Sequence, residues 1–155
     1  MDGYILLKTI HVVSATILFG TGLGIAFFFL MGFRSDDTRA AYEVARTTTI
    51  ADMLFTLTAG VVQPLTGFAM LHRAGIDPWS RWLEWTYALY AVALACWLPV
   101  VWLQLRMRDM LRAKLGSEAI DEARLRRYFR IWFVLGWPAF LGLIAIFWLM
   151  VDKPA

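Results

Sequence analysis

The chain has 155 residues, of which 60% are hydrophobic and 17% are charged, and its mean hydropathy is +0.60. Soluble domains are about 45–50% apolar, so this composition excludes an ordinary soluble domain and predicts a membrane protein. The net charge is +3 and the pI is 9.3, but the sequence contains no nucleic-acid-binding motif. In a membrane chain, an excess of Lys and Arg more often indicates orientation.

Four long apolar segments follow one another along the chain, each long enough to cross about 30 Å of hydrocarbon as a helix. They are residues 5–33, 50–71, 82–105 and 131–151. Their apolar character is continuous and lacks the alternation of a transmembrane β-strand. The sequence therefore predicts an all-α, polytopic four-helix bundle that forms a single membrane domain over residues 1–155.

The fifteen Lys and Arg residues are distributed unevenly between the two sides of this bundle. Three lie in the first connection and eight in the third connection, residues 106–130. The four on the opposite side are Lys8, Arg73, Arg81 and Lys153. The positive-inside rule then places both termini outside and the two basic connections in the cytoplasm. A bacterial inner membrane is the expected location.

The third connection is predicted to form a small cytoplasmic helical elbow. The third helix should continue to Leu115 and break at Gly116. A new helix would then start with Ser117 as its N-cap, with the acidic residues of 118–122 in its first turn, where they suit the helix dipole. The arginines of the elbow are interpreted as topology determinants, with binding of anionic lipid or of a protein partner as alternatives.

An ionisable side chain inside a membrane span is costly and therefore indicates function. His11 lies about two turns from the outer end of the first helix, and its helical face also carries Ser14, Ala15 and Gly22. These small residues would leave room for a flat, bulky group beside the imidazole. Neutral imidazole is a common ligand of transition metals and of haem iron. The alternative is that His11 only forms a hydrogen bond to a neighbouring helix.

The second and third segments each carry a stripe of polar residues at helical spacing. The stripe on the second segment is Asp52, Thr56, Ala59, Gln63, Thr66 and Met70, and the stripe on the third is Thr86, Tyr90, Ala93, Trp97, Val101 and Gln104. Gln63, Thr66 and Tyr90 are predicted to lie near the depth of His11 and to line the same pocket. Asp52 is expected to cap a helix or to pair with a basic loop residue.

His72 lies at the outer end of the second segment, about 180° from Gln63 around the helix. This position argues against a haem held by two histidines, so an interfacial role for His72 is expected.

Gly20 and Gly24 form a GxxxG pair away from the face of His11, which predicts either a close seam within the chain or a homo-oligomer contact. Cys96 is the single cysteine, so neither a disulfide nor a CxxC motif is present.

Several segments resemble an uncharacterised bacterial family of small four-span integral membrane proteins. They are residues 4–11, 63–67, 97–104 and 147–154. The Leu7-Lys8-x-x-His11 opening and the Lys153-Pro154 ending more distantly resemble the HemJ-type protoporphyrinogen oxidases and the copper-resistance CopD family. The HemJ resemblance implies that His11 occupies the place of a haem b ligand, while Thr86 stands where that family has a lysine.

Together these features lead to the hypothesis of an inner-membrane protein that binds b-type haem in the outer half of the bundle. His11 would be the metal ligand, and Ser14, Gln63, Thr66 and Tyr90 would line the cofactor pocket. The expected role is electron transfer or porphyrin-linked oxidation, with the redox partner unidentified. The alternatives are cofactor-free handling of a small solute or a copper-like metal ion, and a structural role in assembly.

Overall fold

The computed structural model describes residues 3–154, so Met1, Asp2 and Ala155 of the predicted domain lie outside the described residues. Within that range the chain forms four long helices and no strand. They are α1 (Gly3–Arg34), α2 (Thr38–Ala74), α3 (Arg81–Leu115) and α4 (Glu122–Asp152). All four are long and apolar enough to cross a membrane. The predicted all-α, four-span architecture is confirmed.

The helices pack as two pairs, α1 along α2 and α3 along α4, and the two pairs meet mainly where α2 contacts α3. The start of α1, the end of α4 and the α2–α3 connection lie at one end of the bundle, here called the terminal end. The α1–α2 and α3–α4 connections lie at the opposite end, here called the basic end. Phe19 joins α1 to α4 through rings 5.0 Å from Phe140 and 5.4 Å from Phe147.

The main core lies in the half of the bundle nearer the basic end. Phe29 and Met107 are completely buried there, and the Phe29 ring lies 4.5 Å from that of Trp132. Most other apolar side chains point outward, since at most 17% of the residues in the most apolar window of any span are buried. Exposed Leu, Val, Ile and Phe side chains of this density require an apolar solvent, and the hydrocarbon of a bilayer provides it.

Helix α2 begins at Thr38, twelve residues before the apolar segment that predicted it. Asp37 caps it, because its Oδ1 accepts a hydrogen bond of 2.8 Å from the Arg39 backbone amide. The first part of α2 is amphipathic and buries Ala41 and Ala45. Hydropathy therefore marked the part of this helix that lies in hydrocarbon and not the point where the helix starts.

A π-helical turn, Asp52–Thr56, interrupts α2 and separates its two α-helical parts, Thr38–Ala51 and Leu57–Ala74. Its signature is the bond from the Leu57 amide to the Asp52 carbonyl, five residues back. A π turn inserts one residue into the helical repeat. The face that α2 presents on one side of the turn is therefore not continuous with its face on the other side.

The α3–α4 connection differs in part from its prediction. Helix α3 ends at Leu115 as expected. Ser117, however, is not an N-cap, because it adopts a left-handed conformation with φ 64° in the turn after α3. The N-cap of α4 is Asp121, whose Oδ1 accepts a 2.9 Å bond from the Arg124 amide. Residues 106–130 thus comprise the last part of α3, a short connection and the first part of α4.

The glycines of α1 differ in what surrounds them. Gly32 packs against α2, where a Cβ atom at this position would lie 3.0 Å from the Cβ of Val44. At Gly20 and Gly24 an added Cβ would meet nothing within 4 Å. Of the two predicted contacts, the close seam within the chain is therefore wrong, since no neighbouring atom of residues 3–154 lies within 4 Å of an added Cβ at either glycine. A homo-oligomer contact through Gly20 and Gly24 stays a prediction.

Gly32→Leu is expected to lower the free energy of unfolding by about 1–3 kcal/mol, because the larger side chain must displace Val44 in a packed seam. Gly20→Leu is the matched control and should leave the stability of the monomer unchanged. Thermal unfolding of both variants in the same detergent measures the difference. Equal stability of the two variants would contradict the close approach at Gly32. Cross-linking of Gly20→Leu in native membranes tests the predicted oligomer contact separately.

Candidate functional site: a polar seam between α1 and α2

Four of the polar residues singled out from the sequence meet between α1 and α2 in the half nearer the terminal end. Because the two helices are antiparallel, His11 lies opposite Thr66, and Ser14, one turn further along α1, lies opposite Gln63. This polar seam consists of His11, Ser14, Gln63 and Thr66. Ser14 and Thr66 are buried and His11 is partly buried.

The hydrogen bond between His11 and Thr66 indicates which nitrogen of the imidazole carries a proton. His11 Nδ1 lies 2.8 Å from Thr66 Oγ1. The threonine hydroxyl has one proton, and it donates that proton to the Val62 carbonyl at 2.7 Å. The hydrogen-bond network therefore assigns a proton to Nδ1, which donates to Thr66, and in the neutral imidazole this is the Nδ1–H tautomer. The lone pair of Nε2 is then free to bind a ligand.

Gln63 holds the turn of α1 that carries His11. Its Nε2 donates to the His11 carbonyl at 2.7 Å and to Ser14 Oγ at 2.5 Å. Ser14 Oγ in turn donates to the same carbonyl at 3.1 Å. Polar bonds between helices inside a bilayer stabilise their packing and are sensitive to register. The amide of Gln63 therefore fixes the depth and the rotation of His11 relative to α2.

The backbone of α2 approaches the imidazole closely at Gly67. A Cβ atom at this position would lie 3.5 Å from His11 Cε1. The Cε1 edge of the imidazole therefore faces a helix surface that has no side chain, with room for about one methyl group between them. The bond from Nδ1 to Thr66 holds the imidazole beside α2 at this point.

Tyr90 is the one predicted pocket residue that the structure does not bring to His11. Its hydroxyl donates to the Gly60 carbonyl, six residues from Thr66 and so about 9 Å along α2. Pro64 explains this partner, because proline has no amide hydrogen and leaves the carbonyl four residues before it without its helical bond. Tyr90 satisfies that carbonyl from α3, as neighbouring helices commonly do around a proline in a membrane.

Asp52 forms a second polar contact between α2 and α3. It is buried at the start of the π turn, and its Oδ1 accepts a 3.1 Å bond from the Trp97 indole nitrogen. The expectation that Asp52 caps a helix or pairs with a basic loop residue is wrong. Asp52 and Trp97 each lie on a polar stripe that was predicted from the sequence, and this was the signal for the pair. The sequence did not show that the two stripes face each other.

Two other residues that bear on a cofactor site lie away from the polar seam. His72 is exposed in the last turn of α2. Thr86, which stands at the lysine position of the HemJ-type family, is buried and donates to the Trp82 carbonyl at 2.8 Å. Neither side chain forms a hydrogen bond to a member of the polar seam within residues 3–154. His11 is thus the one histidine of this seam.

The surroundings of the polar seam are apolar. A cavity of about 340 Å³ lies beside it. It is lined by apolar residues of both helices, such as Val13, Ile17 and Phe55, and by the hydroxyl-bearing residues Thr9, Ser14 and Thr58. His11 is not one of its lining residues. Across residues 3–154, no group of three or more His, Cys, Asp or Glu side chains is arranged to hold a metal ion.

Comparison with known proteins identifies the family. The model of the family DUF2269, described as "predicted integral membrane protein", matches residues 5–154. The chain belongs to this family. Searches of curated proteins and of solved structures each gave no match. Membership confirms the predicted resemblance to an uncharacterised family of integral membrane proteins and agrees with the four apolar helices of this DUF2269 protein.

Proposed function

We propose that this DUF2269 protein binds a b-type haem through Nε2 of His11. The observation that carries the proposal is the bond from His11 Nδ1 to Thr66, whose own proton is used by the Val62 carbonyl. Histidines that bind a metal through one ring nitrogen almost always donate the other ring N–H to a fixed acceptor. His11 has this arrangement.

The number of available ligands supports a haem more than a bare metal ion. A bare transition-metal ion is usually held by three or four protein side chains. The described residues contain no such group. A porphyrin supplies four nitrogen ligands itself, so that a single histidine is enough on the protein side. His11 meets this smaller requirement.

The bound haem would supply one-electron redox chemistry for electron transfer or for porphyrin-linked oxidation. The contribution of the chain is to position the ligand and to define its surroundings. Thr66 selects the tautomer and holds the plane of the imidazole, and Gln63 fixes the height of His11 in the bilayer. The apolar helix surfaces around the polar seam keep water away and lower the local dielectric, which tunes a redox potential.

The proposal is tested by an absorption spectrum of the full chain, purified in mild detergent after expression with added haem precursor. A Soret band together with stoichiometric iron supports it. A colourless protein overturns it. Metal analysis in the same preparation identifies the alternative, because copper or another ion without porphyrin would instead indicate metal-ion handling.

We also propose that the protein lies in a bacterial inner membrane with the terminal end facing the periplasm. The excess of arginine and lysine at the basic end supports this orientation through the positive-inside rule. The polar seam would then lie in the outer half of the bilayer, which favours a periplasmic redox partner.

This orientation predicts which positions a membrane-impermeant maleimide reaches in intact cells. In a Cys96→Ala background, Asp77→Cys between α2 and α3 should be labelled at once. Glu118→Cys between α3 and α4 should be labelled only after the membrane is permeabilised. Both positions are exposed in the structure, so that accessibility to the reagent depends on the side of the membrane alone. The reverse pattern would contradict the orientation.

A further inference from the structure

A second cavity lies at the basic end of the bundle, where the end of α1, the start of α2, the end of α3 and the start of α4 meet. Its volume is about 540 Å³, which is within the size range of small-ligand pockets. Its floor is apolar and includes Phe33 and Phe129, whose rings stack with centroids 4.8 Å apart. Its rim is polar and carries Lys114, Arg126 and Arg130.

Of the three basic side chains on the rim, Lys114 is paired with a carboxylate, and Arg126 and Arg130 are available to bind an anion. Lys114 Nζ is 2.7 Å from Glu122 Oε1, so these two lining residues neutralise each other. Within residues 3–154, neither Arg126 nor Arg130 lies within 4.0 Å of a carboxylate. Asp36 is the remaining acidic residue of the lining and offsets one of the two positive charges. An anion would remove the residual repulsion between the arginines.

Arg126 and Arg130 are spaced to hold one anionic group between them. They are four residues apart on α4, which places their Cβ atoms about 5–6 Å apart on one face of the helix. Guanidinium groups bind phosphate oxygens through paired, charge-assisted hydrogen bonds. Ser35 and Thr38 add two hydroxyl groups on the opposite wall, at the positive end of the α2 dipole.

The position of the cavity identifies the source of the anion. It begins where α1 ends at Arg34, so it lies at the boundary between hydrocarbon and water. Phe129 and Arg130 of its lining directly precede the apolar segment of α4, residues 131–151. At this depth the phosphates of the bilayer are the most abundant anions, and the apolar floor suits the upper part of an acyl chain.

We infer that this cavity binds the phosphate headgroup of an anionic phospholipid, with Arg126 and Arg130 on the phosphate and Phe33 and Phe129 under the acyl chain. This site is independent of the haem proposal. It uses no residue of the polar seam and lies at the opposite end of the bundle. Loss of one site should leave the other intact.

Native mass spectrometry of the full chain, titrated with phosphatidylglycerol or with phosphatidylcholine of the same acyl chains, measures the binding. Wild type should bind phosphatidylglycerol at least tenfold more tightly. The double variant Arg126→Ala/Arg130→Ala should lose at least tenfold of that affinity, as expected for hydrogen bonds to charged groups. The matched control is Arg124→Ala/Arg127→Ala, which removes the same charge from the same helix outside the cavity and should lose less than threefold.

Three outcomes would overturn the inference. Equal losses in the two double variants would show attraction to overall surface charge only. Equal affinity for the two lipids would show that the headgroup charge is not recognised. Displacement of phosphatidylglycerol by millimolar inorganic phosphate would show a site for a soluble anion. Thermal unfolding of both double variants without added lipid excludes loss of folding as the cause.

Discussion

His11→Ala is expected to abolish the Soret absorbance of this DUF2269 protein, whereas His72→Ala should retain the full absorbance of the wild type. The two histidines are the only ones in the chain, so they form a matched pair. Nδ1 of His11 lies within the bundle, 2.8 Å from Thr66 Oγ1, and Nε2 is the proposed ligand atom. His72 is exposed at the terminal end. The same substitution therefore removes the proposed ligand in one case and a surface side chain in the other.

The measurement is the ratio of Soret to protein absorbance, together with the iron content of each purified variant. His11→Ala also removes the hydrogen bond to Thr66, so its folding must be checked by thermal unfolding in detergent. Rescue by added imidazole in His11→Ala would show that the missing group is the ligand itself. Haem retained at the wild-type ratio in His11→Ala would refute the assignment, and loss in His72→Ala would move the ligand to that residue.

Thr66→Val is expected to weaken haem binding by about 10–100-fold, which is the usual effect of removing the residue that orients a metal-binding histidine. Valine has nearly the shape of threonine and lacks the hydroxyl. The imidazole would therefore lose its acceptor at Nδ1 and the group that selects its tautomer. The helix would lose only the hydroxyl bond to the Val62 carbonyl, which already has its helical partner.

A change in the midpoint potential of the haem that remains bound separates this positioning role from a purely structural one. Thr86→Val is the matched control, because Thr86 is also buried and also bonds a carbonyl of its own helix, but forms no bond to His11. It should change neither affinity nor potential. Equal effects of the two substitutions would indicate a general loss of packing.

Much of the architecture could be predicted from the sequence because hydrocarbon imposes strong constraints on composition. Four apolar segments gave four helices, and the inward polar stripe of α2 correctly placed Gln63 and Thr66 on one face. Helix ends were less predictable, since Thr38 and Asp121 start helices through caps that lie outside the apolar segments. Hydropathy reports contact with lipid and carries little information about residues in water.

The position of Tyr90 could not be obtained from periodicity because it depends on another helix. Its partner is the Gly60 carbonyl, which is free only because Pro64 lacks an amide hydrogen. Pro64 was visible in the sequence, but the donor that compensates for it could come from any neighbouring helix. The same limit applies to Asp52, whose partner Trp97 is 45 residues away.

The π turn at Asp52–Thr56 changes which surfaces α2 presents to the helices packed against it. Its single extra residue rotates the helix by about 100°. The first part of α2 can therefore bury Ala41 and Ala45 in the core at the basic end while Gln63 and Thr66 still face α1. Deleting one residue from this turn would leave every side chain chemically intact and yet turn one of these two surfaces toward lipid. The length of the chain between Ala45 and Gln63 thus matters as much as its composition.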